Sequence, residues 1–251
     1  MKRVLGSIRR ADDKYGMIED GDRIAVGVSG GKDSLMLLLA LSIYRKFSKK
    51  DFTLQAVTVS LGLEPFDTSA VQAFSESLGV PYTRVESDIG DVVFNVRKEK
   101  NPCALCANMR RGAVNSAAKD LGCNKVALAH HRDDAIETLM MSMFYEGRMN
   151  TFAPVTYLSR QELTVIRPFI YVPEEILSAC ARDNELPVVK NPCPADGTTS
   201  RSEVKNLLKT LSRQFPDIHE KLLHALDNTE KYNLWDKYVV NSGEKKSTDE
   251  P

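Results

Sequence analysis

The sequence has no excess of charge of either sign and no long hydrophobic run. Its 34 basic and 34 acidic residues give a formal net charge of zero. This balance excludes a generally basic nucleic-acid-binding protein but allows a local basic surface. No apolar stretch approaches the ~18 residues that a membrane-spanning helix needs. The N-terminus, Met1-Lys2-Arg3, does not lead into the apolar core of a secretory signal. We therefore expect a cytoplasmic protein without a membrane partner.

Cysteine is also scarce. Five cysteines are an odd number and too few for a disulfide-stapled small domain, which favours a reducing compartment. Cys123 follows a glycine that closes a predicted helix, and Cys180 lies in an aliphatic helical segment. We expect both to be small buried side chains. The chain has 251 residues, of which 42% are hydrophobic, so it is long enough for a full core.

Short β-branched runs alternate with helical segments along most of the chain. This alternation predicts an α/β fold with a parallel sheet and crossover helices. The predicted strands are residues 23–29, 54–60, 82–86, 126–129 and 165–167. The predicted helices are residues 33–47, 68–78, 104–121, 133–145, 202–214 and 218–235, with a further one opening at Pro173. We expect an α/β domain over residues 1–200, a helical extension over 201–240 and a disordered tail over 241–251.

A loop of glycine, serine and charged residues separates the first predicted strand from the first helix. We call it the phosphate loop; it consists of Ser29, Gly30, Gly31, Lys32, Asp33 and Ser34. Its glycines allow a tight turn, and the following helix N-terminus favours an anion. Lys32 adds a full positive charge, whereas Asp33 suits phosphate only through a bound Mg²⁺. The loop matches neither the Walker sequence nor the dinucleotide-binding fingerprint, and we predict a phosphate site there.

Three cysteines lie in related contexts. Cys103 and Cys106 form a C-x-x-C pair about one helical turn apart, which can bind a metal or form a disulfide. The Lys-Asn-Pro that precedes Cys103 recurs before Cys193, and we expect both cysteines to enter from loops. Structural zinc normally takes four protein ligands, whereas three thiolates suit a cubane iron–sulfur cluster with one open iron.

Two histidines and two aspartates follow the predicted strand at residues 126–129. The segment His130-His131-Arg132-Asp133-Asp134 is therefore expected at the carboxyl edge of the sheet, beside the phosphate loop. Asp133 or Asp134 could cap the next helix, and His130 could be a buried histidine with satisfied hydrogen bonds. For Asp134 we prefer a role in positioning Mg²⁺ or ATP. No general base is assigned.

The phosphate loop resembles the PP-loop of the ATP pyrophosphatases, which cleave ATP to AMP and pyrophosphate. Together with the Pro-Cys-x-x-Cys segment, residues 130–134 and a distant third cysteine, the chain resembles the tRNA 2-thiocytidine synthetase (TtcA) family. The resemblance runs from about residue 21 to residue 211. The chain departs from the family pattern at Asp196, where some relatives carry a cysteine, and its C-terminal part is shorter than in many of them.

The resemblance implies a Rossmann-like PP-loop core with ATP across the carboxyl ends of the strands. It implies that Cys103, Cys106 and Cys193 hold a 4Fe-4S cluster with one open iron, and that Mg²⁺ accompanies ATP. Lys32, Asp33 and Asp134 are the predicted catalytic residues. The predicted nucleotide-binding residues are Ser29, Gly30, Gly31, Lys32, Asp33, Ser34, Ser60, His130 and Asp134.

The implied activity is ATP-dependent sulfur transfer to C2 of a tRNA cytidine, through adenylation of its C2 oxygen. The implied partners are tRNA and a sulfur donor, either a cysteine desulfurase or inorganic sulfide, and a homodimer is allowed. A 2-thiouridine synthetase of the same class would use the same residues. A lysidine synthetase needs no cluster, so the paired Asn-Pro-Cys motifs argue against it. A redox sensor that binds ATP without catalysis is a further alternative.

The charge is unevenly distributed although it sums to zero. Residues 97–111 contain five basic side chains and one acid, whereas residues 217–251 contain eight acids and five lysines. Lys2, Arg3, Arg9 and Arg10 add positive charge at the N-terminus. A basic strip beside the C-x-x-C pair would bind RNA phosphates; on charge alone, an ordinary solvated surface fits equally well.

Overall fold

A six-stranded sheet forms the centre of the computed structural model, which describes residues 1–62, 66–97, 102–189 and 200–233. The strand order is β3-β2-β1-β4-β6-β5, and neighbouring strands are parallel except β5 and β6. The strands are β1 (Asp22–Gly27), β2 (Phe52–Val59), β3 (Tyr82–Val85), β4 (Lys125–Ala127), β5 (Val155–Leu158) and β6 (Leu163–Ile166). The predicted α/β fold is confirmed.

Helices connect the strands and cover the sheet. They are α1 (Lys2–Tyr15), α2 (Lys32–Arg45), α3 (Ser69–Ser77), α4 (Ile89–Asp91), α5 (Pro102–Asp120), α6 (Arg132–Met141), α7 (Glu174–Asp183), α8 (Ser200–Gln214) and α9 (Ile218–Asp227). α4 continues into a π-helical turn over Val92–Arg97, and α6 into another over Ser142–Glu146. Most of α2 is buried, as expected for a helix that is apolar on all sides.

The sequence pattern predicted some boundaries wrongly. The predicted helix 218–235 ends at Asp227, because the Asn228 side chain donates a hydrogen bond to the His224 carbonyl and a 3-10 turn follows. α5 begins at Pro102, so Cys103 lies in a helix rather than in a loop. The predicted tail, residues 241–251, lies outside the described residues, as does Asp196.

The strand order reverses next to β1. From β1 the chain proceeds to β2 and β3 on one side, and it returns to the other side of β1 as β4. In open α/β sheets, ligands bind at the carboxyl ends of the strands where the order reverses. The phosphate loop leaves β1 at this point, so the topology exposes it between the ends of β2 and β4.

The chain divides into two compact units. The first is Met1–Leu208, which contains the whole sheet, and the second begins at Lys209 within α8. In the part of the chain that the structure describes, each helix is too short or too polar to span a bilayer.

Candidate active site

The phosphate loop is a tight turn that only glycine accommodates well at its second position. Gly30 has a φ of 84°, in the left-handed region that L-residues avoid. A Cβ there would lie 3.4 Å from the Phe66 ring and from Val189, whose amide donates to the Gly30 carbonyl at 3.0 Å. Gly31 precedes α2 as its N-cap. The backbone thus turns sharply and directs the N-terminus of α2 towards the sheet edge.

Two serine hydroxyls hold the loop in this conformation. The Ser29 amide donates to Ser34 Oγ at 3.1 Å, and Ser34 Oγ donates to the Gly31 carbonyl at 2.9 Å. The two hydroxyl oxygens are 3.2 Å apart, and the Gly31 amide donates to Ser29 Oγ at 3.4 Å. Ser29 and Ser34 therefore fix the loop through its own backbone.

Lys32 is held between two carboxylates. Its Nζ lies 2.9 Å from Asp33 and 3.2 Å from Glu174 at the start of α7, and Lys205 Nζ lies 2.6 Å from the same Glu174. Burial alone would lower the pKa of Lys32, but the hydrogen bonds and charges of Asp33 and Glu174 outweigh it and raise that pKa. Burial alone would raise the pKa of Glu174, yet Lys205 and Lys32 lower it to about 2. Lys32 is thus a fixed cation at the loop.

A cavity of about 570 Å³ opens along the carboxyl ends of β2, β1 and β4, a volume typical of small-ligand sites. Its lining includes Ser29, Gly31, Asp33 and Ser34 of the phosphate loop, the apolar side chains Val28, Val57, Val59, Val114 and Leu128, and the cationic side chains Arg110, Arg111, Arg167 and Arg201. Four arginines against one aspartate make the cavity cationic. It therefore suits an anionic ligand that also has an apolar part.

The predicted nucleotide-binding residues divide into two groups. Ser29, Gly31, Asp33, Ser34 and His130 line the cavity, whereas Gly30, Lys32, Ser60 and Asp134 lie outside its described lining. Ser60 follows β2 and is buried, and its Oγ accepts a hydrogen bond from the Gly62 amide at 3.4 Å. At the end of β2 the lining side chains are Val57 and Val59.

The helix that follows β4 is capped by His131 and Asp134 together, so the predicted capping role holds in part for Asp134 and not for Asp133. The N-cap is His131, neither Asp133 nor Asp134. The Asp134 carboxylate accepts the His131 amide at 3.0 Å, and His131 Nδ1 accepts the Asp134 amide at 3.3 Å, which together make a capping box. The other Asp134 oxygen lies 3.6 Å from Arg201. Asp133 instead accepts the Glu174 amide at 2.8 Å and joins α6 to α7.

His130 faces the cavity without the hydrogen bonds of an ordinary buried histidine. Its Nδ1 is buried and has no hydrogen-bond partner among the described residues, so the predicted alternative of a satisfied histidine is wrong for this atom. Burial is the main cause that lowers the pKa of His130, to about 4; the Asp134 charge opposes it, and the charges of Arg167, Arg201 and Arg111 add to it. The imidazole is therefore neutral near pH 7.

The C-x-x-C pair occupies the first turns of α5. Cys103 is partly buried and Cys106 is buried. Cys106 packs in an apolar cluster with Val59, Leu61 and Val93. Cys193 lies outside the described residues, and in the described part no group of three or more Cys, His, Asp or Glu side chains could hold a metal. The described thiols, one helical turn apart, fit two ligands of a thiolate-bound cluster.

Sequence reasoning missed several side chains that meet at this site. Phe152 and Arg167 line the cavity although they belong to the segments around β5 and β6. Arg201 contributes from α8, and its Nη1 lies 3.2 Å from Glu137. No local motif marks these residues, since only the topology brings β6 and α8 to the phosphate loop. Cys123 and Cys180 are buried, as predicted.

Comparisons with known proteins agree with this geometry. The PP-loop domain family matches residues 6–211. The chain is 37% identical over 238 residues to the tRNA-cytidine(32) 2-sulfurtransferase of Geobacter sulfurreducens, a match that covers 94% of this chain and 93% of the relative. The protein of the same name from Geotalea daltonii is 38% identical to the chain, and the match covers 94% of this chain and 95% of the relative.

The chain belongs to the TtcA family of PP-loop proteins. A solved structure supports this placement. It is the U34-tRNA thiolase NcsA from Methanococcus maripaludis with its [4Fe-4S] cluster, which is similar to the chain with a TM-score of 0.74 and 25% identity. The match covers 92% of this chain and 79% of NcsA. The resemblance to PP-loop proteins inferred from the phosphate loop and the cysteines is thus confirmed.

Proposed function

We propose that the chain is an ATP-dependent tRNA sulfurtransferase that converts cytidine 32 of tRNA to 2-thiocytidine. One observation carries the proposal: α5 holds Cys103 and Cys106 in its first turns and lines the cavity with Ala107, Arg110 and Arg111 in the next. The helix that carries the thiol pair therefore also lines the cavity that contains the phosphate loop, starting at Ala107, the residue after Cys106. The relatives' name, tRNA-cytidine(32) 2-sulfurtransferase, supplies the substrate.

The first step is adenylation of the cytosine. The C2 oxygen attacks the α-phosphorus of ATP, the α–β phosphoanhydride bond breaks, and pyrophosphate leaves. We propose that the Gly31 amide, the hydroxyls of Ser29 and Ser34, and Lys32 turn from their partners within the loop to stabilise the leaving pyrophosphate. Asp33 would hold Mg²⁺ on the phosphates, because Mg²⁺ commonly takes one or two carboxylates together with substrate oxygens. Asp134 is proposed as a second carboxylate near that ion.

The second step replaces oxygen by sulfur. A hydrosulfide adds to C2, the C2–O bond breaks, AMP leaves, and the sulfhydryl proton passes to solvent, so no electrons are gained or lost. We propose that Cys103, Cys106 and Cys193 hold a 4Fe-4S cluster. When bound, this cluster supplies an iron atom without a protein ligand, at which sulfide can be held. The chain's own contribution is to keep the thiols beside the nucleotide cavity.

The remaining partners are also proposed. The sulfur comes from inorganic sulfide, or from a cysteine desulfurase whose persulfide sulfur a thiol reductant first reduces to hydrosulfide by two electrons. The chain works as a homodimer, and it acts in the cytoplasm, where tRNA is found. Basic side chains on α5 contact the tRNA backbone. Of the predicted basic strip, Arg110 and Arg111 line the cavity, whereas Lys98 and Lys100 lie outside the described residues.

A second candidate is thiolation of uridine, favoured by the similarity to the U34-tRNA thiolase NcsA. The chemistry at C2 is the same for both bases, so the PP-loop and the cysteines do not distinguish them. The relatives with higher sequence identity bear the cytidine name, which makes cytidine 32 the first target.

The test is nucleoside analysis of unmodified tRNA after anaerobic incubation with reconstituted protein, ATP, Mg²⁺ and sulfide. We expect 2-thiocytidine in tRNA with cytidine at position 32 and none in a transcript with uridine there. Formation of 2-thiouridine instead would favour the second candidate, and ATP binding without any thionucleoside would contradict both.

The cluster is tested by the iron and acid-labile sulfide content of anaerobically purified protein. We expect about four of each per chain, the composition of a 4Fe-4S cluster, with large losses in Cys106→Ser and Cys193→Ala. Cys123→Ala is the matched control, because Cys123 is buried and follows the opposite end of α5 from Cys103 and Cys106. We expect this substitution to leave the iron and sulfide content unchanged. Stoichiometric zinc would contradict the cluster.

A further inference from the structure

One end of the cavity is built from an aromatic ring between two polar side chains. We call Phe152, His130 and Arg167 the aromatic wall. The His130 ring centroid lies 4.9 Å from that of Phe152, and the Arg167 guanidinium carbon lies 5.0 Å from the Phe152 ring centroid. All three line the cavity. Such a wall offers a flat apolar face with hydrogen-bonding groups beside it.

The polar groups of the aromatic wall are buried without being fully used. Arg167 is 5% exposed, and Nη1 donates to the Ala153 carbonyl at 2.6 Å and to Thr156 Oγ1 at 3.3 Å. Its Nε and His130 Nδ1 are buried and make no hydrogen bond within the described residues. Leaving such groups unpaired destabilises the folded protein. Because these two nitrogens are themselves buried, a ligand in the cavity meets the other atoms of the His130 and Arg167 side chains.

The positive charge around the aromatic wall favours an anionic ligand. Arg111 and Arg201 line the same cavity as Arg167. Burial, and then the charge of Arg111, lower the pKa of Arg167 to about 10, so the guanidinium stays charged at neutral pH in an unfavourable setting. Neutral His130 beside these arginines supplies a hydrogen-bonding group without charge. A nucleotide combines the two requirements, with a phosphate for the arginines and a base for the ring.

The phosphate loop and the aromatic wall lie at different strands. The loop follows β1, and the apolar residues Val57 and Val59 belong to β2, whereas Arg167 follows β6, beyond β4. A base modified inside an RNA loop must leave its stack, and aromatic side chains hold such everted bases. The proposed function puts ATP on the phosphate loop at β1, beside Val57 and Val59 of β2, and this leaves the wall for a second nucleotide.

We propose that the aromatic wall binds the everted target nucleotide of the tRNA, with its base on Phe152 and a flanking phosphate on the arginines. The inference rests on the proposed function, and it assigns part of the specificity for the reacting nucleotide to Phe152 and Arg167, which lie outside every motif of the sequence. Arg167 and His130 then approach the edge of the base. The alternative occupant of the wall is the adenine of ATP, and the test below distinguishes it from the tRNA nucleotide.

The test uses an anticodon stem–loop RNA with 2-aminopurine directly after the target cytidine. Eversion of the cytidine unstacks the probe and raises its fluorescence. We expect this rise with wild-type holoenzyme and with Phe152→Tyr, which keeps the ring. In Phe152→Leu we expect the protein concentration that gives half of the maximal fluorescence rise to increase at least fivefold, since base–aromatic stacking contributes about 1–3 kcal/mol. The Kd for ATP is expected to stay within about twofold. Tyr157→Leu is the control, because Tyr157 is an exposed aromatic on β5.

Three results would overturn the assignment. One is a weaker ATP Kd in Phe152→Leu, with or without a change in the RNA response, because the wall would then serve ATP. Another is an unchanged RNA response in a Phe152→Leu protein that unfolds at the wild-type temperature. The third is a wild-type protein that gives no fluorescence rise. The assay needs no sulfur transfer, so a protein that everts the base but forms no thionucleoside would contradict the proposed function and leave this assignment standing.

Discussion

Lys32 shows how a single residue of the phosphate loop is prepared for an anion. It has two carboxylate neighbours, Asp33 at 2.9 Å and Glu174 at 3.2 Å, and the second is itself neutralised by Lys205. The side chain is therefore ordered before a ligand arrives, and ordering it on binding costs little further entropy. Its charge lies at the N-terminus of α2, where it adds to the partial positive charge of the helix.

We expect Lys32→Met to lower the rate of AMP formation by about 10²–10³, a typical loss when one preorganised donor to a developing charge is removed. Lys46→Met is the matched control, because Lys46 is exposed at the other end of the same helix. The check is single-turnover AMP formation with tRNA. Wild-type rates in Lys32→Met would remove Lys32 from the catalytic residues.

His130 predicts how stability depends on pH. Its pKa is about 4 in the folded protein and about 6.5 in an unfolded chain, so the unfolded state binds more protons between these values. The contribution of His130 to the free energy of unfolding is therefore complete above about pH 6.5. It falls by roughly 1–3 kcal/mol as the pH is lowered towards 4. The lowered pKa of Glu174 acts in a separate window, below about pH 4.5.

The measurement is urea unfolding from pH 7 to pH 4.5. His130→Gln is expected to flatten the curve in this range. An equally steep loss of stability in His130→Gln would show that other groups set the pH dependence.

Among the elements, the turn from β1 to α2 depends most on one residue type. Gly30 has positive φ and 3.4 Å clearances on two sides. Gly30→Ala is expected to add about 1–2 kcal/mol of backbone strain. If the loop relaxes to relieve it, the Kd for ATP rises about tenfold.

Calorimetric titration with ATP and thermal unfolding check this prediction. Gly6→Ala in α1 is the control, because nothing lies within 4 Å of its position and helical alanine is favoured over glycine by about 0.5–1 kcal/mol. Unchanged ATP affinity in Gly30→Ala would mean that the conformation of the loop does not matter for binding.

Two substitutions of Asp134, at the start of α6, distinguish its structural role in capping the helix from its proposed role in positioning Mg²⁺. Asp134→Asn keeps an oxygen that can accept the His131 amide but removes the charge proposed to help position Mg²⁺. We expect thiolation to fall by about 10²-fold with little change in melting temperature. Asp134→Ala should also lose about 0.5–2 kcal/mol of stability with the cap. Full activity in Asp134→Asn would leave Asp134 as a cap alone.

The helices and strands differ in how far their sequences predict them. α2 and β2 follow from continuous apolar runs, and the turn between β1 and α2 follows from its glycines. α1 was missed because its basic residues mask a buried face formed by Val4, Ile8 and Ala11. β5 was missed because four residues at a sheet edge, partly exposed, carry no strong alternation.

At the scale of the whole molecule, the site joins local motifs to residues that only the fold assembles. The phosphate loop and the cysteine pair are visible in the sequence, since each acts through neighbours along the chain. Arg167 and Phe152 are not, because β6 reaches the cavity only through the strand order. A cationic cavity in a chain without net charge likewise depends on topology, which gathers four arginines from α5, the end of β6 and α8.

The central claim is that ATP cleavage at the phosphate loop drives sulfur transfer to tRNA. The most direct test is to measure, in one anaerobic single-turnover reaction, the molar amounts of AMP and 2-thiocytidine formed. The account predicts equal amounts in the wild-type protein, and neither product in Lys32→Met on that time scale. Thiocytidine formed without AMP, or AMP formed with tRNA but without thiocytidine, would contradict it.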